Sequence, residues 1–65
     1  MIFEKGYRYL VMDQTACRIP ISCHDISPNG QYAFIEVGFM SNSRIQWTTR
    51  TDNRFELLDI LDEPI

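Results

Sequence analysis

Apolar and polar residues alternate along several short stretches of the chain, and an alternation with period two predicts β-strands. Turn-forming residues separate these stretches, most clearly Pro28, Asn29 and Gly30, which predict a hairpin turn. Strands are predicted at 7–12, 17–26, 31–37 and 44–50, and a further apolar segment follows at 54–61. The pattern therefore indicates a mainly β protein of about five short strands.

The second stretch, 17–26, is the longest and contains two irregular positions. Pro20 has no N–H to donate to a neighbouring strand, so we expect an edge strand or a bulged one. The apolar phase then slips by one position, because Ile26 rather than Asp25 is apolar. This slip predicts a bulge near His24 and Asp25, which would bend the strand.

The last apolar segment, 54–61, is compatible with two structures. Asn53 followed by Glu56 matches a helix capping box, and the spacing of the apolar residues after it also fits a helix. As a strand, the segment would be short, apolar and irregular. We favour the strand, entered through one short helical turn near the C-terminus.

Size and charge limit the architecture and the partners. With 65 residues the chain forms one domain, 1–65, and its core is small enough for oligomerisation to be a common supplement. The net charge of −3 argues against duplex DNA as a partner, because phosphate binding needs an excess of Lys and Arg. No apolar run approaches the length of a membrane span and the first ten residues do not match a secretory signal, so we expect no membrane partner and a cytoplasmic location.

Five short, bent strands in a chain of this length resemble the SH3-like small barrels of the SH3, Tudor and KOW kind. The resemblance covers residues 7–61 and rests on a long bent second strand, a central hairpin and a short apolar closing segment. It implies a closed five-stranded barrel, in which closure removes the exposed strand edges that would otherwise aggregate. An OB-type barrel is the alternative, although it needs more residues.

The residue types that carry catalysis or bind metals are few. Cys17 and Cys23 would lie roughly 20 Å apart on one extended strand, whereas a disulfide needs Cα atoms within about 7 Å, so free thiols are expected. His24 is the third candidate metal ligand, but it would point away from its neighbour Cys23. The chain has no Gly-rich phosphate loop and no H-E-x-x-H or G-x-S-x-G motif. We therefore expect a protein that is not an enzyme and has no cofactor or metal, with His24 at the surface.

The third and fourth predicted strands can pair in two registers, and a shift by one residue exchanges their faces. One register sets Phe34 opposite Trp47. The other sets Ala33 opposite Trp47 and Glu36 opposite Arg44, and we favour it because it pairs opposite charges and a small side chain with a large one. The predicted inner face is Ala33, Ile35, Val37, Ile45 and Trp47, and the predicted outer face is Tyr32, Phe34, Glu36, Arg44, Gln46, Thr48 and Arg50.

Two aromatic residues on the predicted outer face, Tyr32 and Phe34, form the main candidate site. Tyr and Arg are enriched at protein interfaces, and arginines flank these aromatics in the predicted pairing. We expect the surface to bind another protein or a second copy of the chain, as a small accessory regulator or inhibitor would. The alternative is single-stranded nucleic acid such as RNA, with bases stacked on the rings and phosphates bound by arginines. A third possibility is that Ile2 and Phe3 cover the two aromatics.

The loop at 38–43 adds two apolar candidates, Phe39 and Met40, which would either close a barrel end or anchor a partner. The predicted partner-binding residues are therefore Tyr32, Phe34, Phe39, Met40, Arg44, Gln46 and Arg50.

Overall fold

All five predicted strands are present in the computed structural model of the chain, which describes residues 1–38 and 41–65. They are β1 (Arg8–Met12), β2 (Arg18–Ile26), β3 (Tyr32–Val37), β4 (Arg44–Thr49) and β5 (Glu56–Asp62). Every neighbouring pair is antiparallel, and the order across the sheet is β4-β3-β2-β1-β5. The mainly β class is confirmed, and so is the strand at the last apolar segment. A turn at residues 53–54, not a helical one, precedes β5.

The sheet is open, in contrast to the closed barrel that the resemblance implied. β4 and β5 are its two outermost strands, and over the described residues they do not pair with each other. The N-terminal segment joins the end of β4 to β2 instead. The Phe3 N–H donates to the carbonyl of Arg50 (3.0 Å), and the Gly6 N–H donates to the carbonyl of Cys23 (3.0 Å).

The core lies between one face of the sheet, here called the core face, and the N-terminal segment. Phe3 is fully buried and makes edge-to-face contacts with Tyr9 (ring centroids 5.9 Å apart) and Phe55 (6.4 Å). Burying one such side chain stabilises the fold by roughly 1.5–3 kcal/mol, which is a large share for a small domain. The buried core residues are Phe3, Tyr9, Val11, Ile21, Cys23, Ala33 and Ile35.

β2 is a central strand with a bulge, so of the two alternatives predicted from Pro20 the edge strand is wrong and the bulged strand is present, with its bulge between Cys23 and Asp25. Pro20 pairs with Leu10 of β1, and its carbonyl accepts a hydrogen bond from the Gly38 N–H (3.0 Å). The amide nitrogen of a strand residue points to the same side as its carbonyl, here the side of β3. Because β3 ends at Val37, the missing donor falls where the ladder stops. The bulge predicted near His24 is confirmed, since the β2–β3 register shifts between Cys23 and Asp25.

The register of β3 and β4 is the one that we did not favour. Phe34 lies opposite Trp47, and Glu36 lies opposite Ile45. The predicted pairs Ala33–Trp47 and Glu36–Arg44 are therefore wrong. A hydrogen bond from the Arg50 N–H to the Gln31 carbonyl (2.9 Å) fixes the register where the two strands begin to pair.

Candidate functional site

Three aromatic or large aliphatic side chains from β3 and β4 are about half exposed on the face opposite the core. Tyr32 is 48% exposed, Ile45 54% and Trp47 52%. Phe34 is partly buried between its neighbours, with its ring centroid 5.0 Å from that of Trp47. We call these four residues, Tyr32, Phe34, Ile45 and Trp47, the outer aromatic surface.

Strand alternation places these side chains outside. Ala33 and Ile35 of β3 are fully buried on the core face, so their neighbours Tyr32 and Phe34 point away from it. The β3–β4 register then assigns Trp47 to the face of its partner Phe34. The outward position predicted for Tyr32 and Phe34 agrees with the structure, and the inward position predicted for Ile45 and Trp47 is wrong.

The N-terminal segment does not cover the outer aromatic surface. Phe3 is fully buried in the core on the opposite side of the sheet, and Ile2 is itself 58% exposed while it bridges to Thr51. Tyr32 keeps about half of its surface open to solvent. The interpretation in which Ile2 and Phe3 shield the aromatics is therefore wrong.

A histidine–carboxylate pair lies beside the outer aromatic surface. His24, the extra residue of the β2 bulge, is 2.9 Å from Glu36 (Nε2 to Oε1), and its ring centroid is 6.5 Å from that of Phe34. The hydrogen bond from His24, together with one from Ser43, lowers the pKa of the Glu36 carboxyl. The bulge thus gives Glu36 the partner that the sequence had assigned to Arg44, and His24 lies at the surface as predicted.

The arginines predicted to flank the aromatics have other positions. The guanidinium of Arg50 donates to the carbonyls of Phe3 (3.1 Å) and Gly30 (3.3 Å) and forms an ion pair with Glu4 (2.8 Å), so it holds the N-terminal segment against the hairpin. Arg44 lies opposite Val37, on the core-face side of β4.

Gln46 shares that core-face side and lies opposite Ile35. Together with Arg44 it lines an open cleft of about 370 Å³, whose other walls include Arg54 and Phe55. The structure therefore separates Arg44 and Gln46 from Tyr32 and Phe34, whereas Arg50 and Tyr32 line one open cleft of about 370 Å³ at the start of β3. Phe39 and Met40 lie outside the described residues.

A buried carboxylate next to this cleft was missed in the sequence. Asp52 is only 7% exposed, and its oxygens accept hydrogen bonds from Thr48 (Oγ1, 2.8 Å) and from Arg54 (Nη2, 2.6 Å; Nε, 3.0 Å; backbone N–H, 2.9 Å). The hydrogen bonds from the Arg54 side chain lower the pKa of Asp52 to about 2. A polar turn before the last strand was the only signal in the sequence, and it did not distinguish a buried carboxylate from an exposed one.

The second feature missed is the exposure of the last apolar segment, which forms an outermost strand of the sheet. Four residues of β5 are each 40–43% exposed, namely Leu57, Leu58, Ile60 and Leu61. Two register shifts in the β1–β5 pairing keep Leu57 opposite Val11 and Ile60 opposite Tyr9, on the core face. Phe3 of the N-terminal segment packs on Tyr9, whereas Leu57 and Ile60 at this end of the core face remain exposed.

Other chemical features are simple. Both cysteines are free, with Cys17 exposed and Cys23 buried. Among residues 1–38 and 41–65, no group of three or more His, Cys, Asp or Glu residues has the geometry of a metal site. The same residues include no helix with the length and hydropathy needed to cross a bilayer.

No family model, no curated protein and no solved structure matches the chain.

Proposed function

We propose that the chain is a non-enzymatic protein-interaction module that acts by covering an apolar surface on another protein, as a small regulator or inhibitor would. The observation that carries this proposal is the outer aromatic surface, where Tyr32, Ile45 and Trp47 are each about half exposed around Phe34. Trp and Tyr dominate the binding energy of protein interfaces. Exposed apolar patches of this kind are typical of interaction sites on small domains.

The charges around the surface favour a protein over single-stranded nucleic acid. A nucleic-acid site would need cations beside the stacking rings to bind phosphates. The guanidinium of Arg50 is engaged with Glu4 and two carbonyls, and Arg44 lies on the other side of β4. The carboxylate of Glu36 is held by His24, whose ring centroid is 6.5 Å from that of Phe34, and this negative charge would repel phosphate.

Two finer assignments belong to the same proposal. The strand order and the bulge that bends β2 support an SH3-like architecture in which the N-terminal segment replaces the closing strand pair. The two free thiols support a reducing compartment, and hence a cytoplasmic location.

The test compares binding by two matched variants. Tagged wild-type chain and the Phe34→Ser/Trp47→Ser variant are used to capture proteins from nuclease-treated lysate of the source organism, at low and high salt. Gln46→Ser is the control, because it changes the same strand on its opposite face. We expect one defined protein to be retained at both salt concentrations by the wild type and the control and lost by the double variant, since apolar contacts resist salt.

Two outcomes would contradict the proposal. Retention of the captured protein by the double variant would separate binding from the outer aromatic surface. Binding of labelled single-stranded RNA that weakens steeply with salt, with no protein captured, would favour the nucleic-acid alternative.

A further inference from the structure

The sheet has two free edges of similar length, and both carry exposed apolar side chains. β4 has six residues and β5 has seven, and among residues 1–38 and 41–65 each has a pairing partner on one side only. An unprotected edge of this kind is a template for pairing with another chain. We therefore ask which strand fits each free edge. The answer rests on the proposed function, because Ile45 and Trp47 belong both to the outer aromatic surface and to the free edge of β4.

The backbone of β4 is suitable for accepting another strand. Arg50 donates its N–H to Gln31, and hydrogen-bonded pairs alternate with non-hydrogen-bonded pairs along an antiparallel ladder. The N–H and C=O groups of Ile45, Trp47 and Thr49 therefore point away from β3, towards the free edge.

Strand direction decides how the faces of two copies would match. Four antiparallel pairings separate β4 from β5, so the two strands run in the same direction within one chain. If β5 of a second copy is added antiparallel to β4, that copy must be turned over. The outer face of one copy then continues as the core face of the next.

This inversion matches the side chains on both sides of the joint sheet. On one side, Ile45 and Trp47 of β4 meet Leu57 and Ile60 of the second copy, and all four are 41–54% exposed in the single chain. On the other side, β4 presents Arg44, Gln46 and Thr48. The facing side of β5 presents Glu56, Asp59 and Asp62, which the β1–β5 register places opposite Met12, Leu10 and Arg8. Apolar side chains thus meet apolar ones, and a side with one arginine and two uncharged polar residues meets an acidic one.

Symmetric pairings of identical edges match less well. Two β5 strands centred on Asp59 would place Asp59 against its own copy and Glu56 opposite Asp62. Two β4 strands centred on Trp47 would place Arg44 opposite Arg50. Like charges directly opposite each other destabilise a strand pair.

We propose that the chain associates with itself head to tail, through antiparallel pairing of β4 of one copy with β5 of the next. In a pair of copies, the copy that uses β4 keeps a free β5 edge, and the copy that uses β5 keeps a free β4 edge. The assembly therefore grows into a ring if the rotation closes and into a filament if it does not.

The test uses two variants, each with one blocked edge. Ile45→Lys/Trp47→Lys blocks β4, and Leu57→Lys/Ile60→Lys blocks β5, since lysines on an edge strand prevent pairing. Light scattering after size exclusion measures the molar mass of the wild type, of each variant and of their equimolar mixture over a range of concentrations. The proposal predicts a wild-type mass that rises above the 7.7 kDa of one chain, monomeric variants, and a mixture that stops at a 1:1 complex of the two variants.

Three results would overturn it. The wild-type series needs no variant, and a mass that stays at 7.7 kDa up to about 1 mM, where even a weak complex forms, excludes the pairing. Self-association of the β5-blocked variant alone would indicate β4–β4 pairing, and that of the β4-blocked variant alone would indicate β5–β5 pairing. The β5 variant keeps Phe34 and Trp47, so unchanged capture of another protein by this variant distinguishes failure of self-association from failure of the proposed function.

Discussion

Replacing Asp52 by Asn removes the charge of the one buried carboxylate of the described core while keeping its shape. Asp52 accepts hydrogen bonds from the Arg54 guanidinium and from Thr48, and its pKa falls from 3.8 to about 2. A pKa lowered in the folded state stabilises the fold at a pH above the unfolded value, and this contribution is lost as the pH falls through the folded value. Each pKa unit corresponds to about 1.4 kcal/mol, so the network contributes roughly 2 kcal/mol at neutral pH.

This contribution is large beside the roughly 3–5 kcal/mol that a core of this size supplies. Urea denaturation of the wild type and Asp52→Asn at about pH 7, 4 and 2 measures it, because the difference between the two proteins cancels the other carboxyls. We expect the variant to be less stable by roughly 2 kcal/mol at about pH 7 and the difference to shrink towards zero near pH 2. Asp62→Asn, a change at an exposed position of β5, is the control. A difference below about 0.5 kcal/mol at neutral pH, or one independent of pH, would refute the assignment.

Three further predictions concern stability and exposure. Ala16 has a φ of +63°, which L-residues other than Gly adopt at a cost, so Ala16→Gly is expected to raise the free energy of unfolding by about 0.5–1 kcal/mol in urea titrations; a lower stability would contradict this. Cys17 is exposed, whereas burial raises the pKa of the Cys23 thiol, so a thiol reagent is expected to modify one cysteine quickly and the other only after unfolding; equal rates would contradict the assigned burial. Ile35→Ala is expected to cost roughly 2–5 kcal/mol and Phe34→Ser much less, as measured by thermal melts, and similar losses would place Phe34 in the core.

The strands and the bulge at His24 could be predicted from the sequence because they depend on local patterns. Alternation, turn residues and the slip before Ile26 are all local, and the structure has each of them. The central position of β2 could not be predicted from Pro20, because a missing donor is tolerated wherever the neighbouring strand ends.

The candidate surface depended on a register, which local patterns do not determine. The charge pair Glu36–Arg44 favoured one register, but His24 supplies the partner of Glu36 from a different strand. Likewise, a large aromatic residue was expected inside, although Phe3 and Tyr9 already fill the core from elsewhere in the chain. Contacts between distant segments therefore decided which of the aromatic residues form the surface.

Trp47 is the only tryptophan of the chain, so its fluorescence tests most directly whether the outer aromatic surface faces solvent. Acrylamide quenching is measured for the folded protein, at a concentration low enough to keep it monomeric, and for the protein unfolded in urea. With Trp47 52% exposed, the folded protein is expected to show roughly half the quenching slope of the unfolded chain. A slope close to zero in the folded protein would place Trp47 in the core. It would require a β3–β4 register shifted by one residue and would contradict the outer aromatic surface.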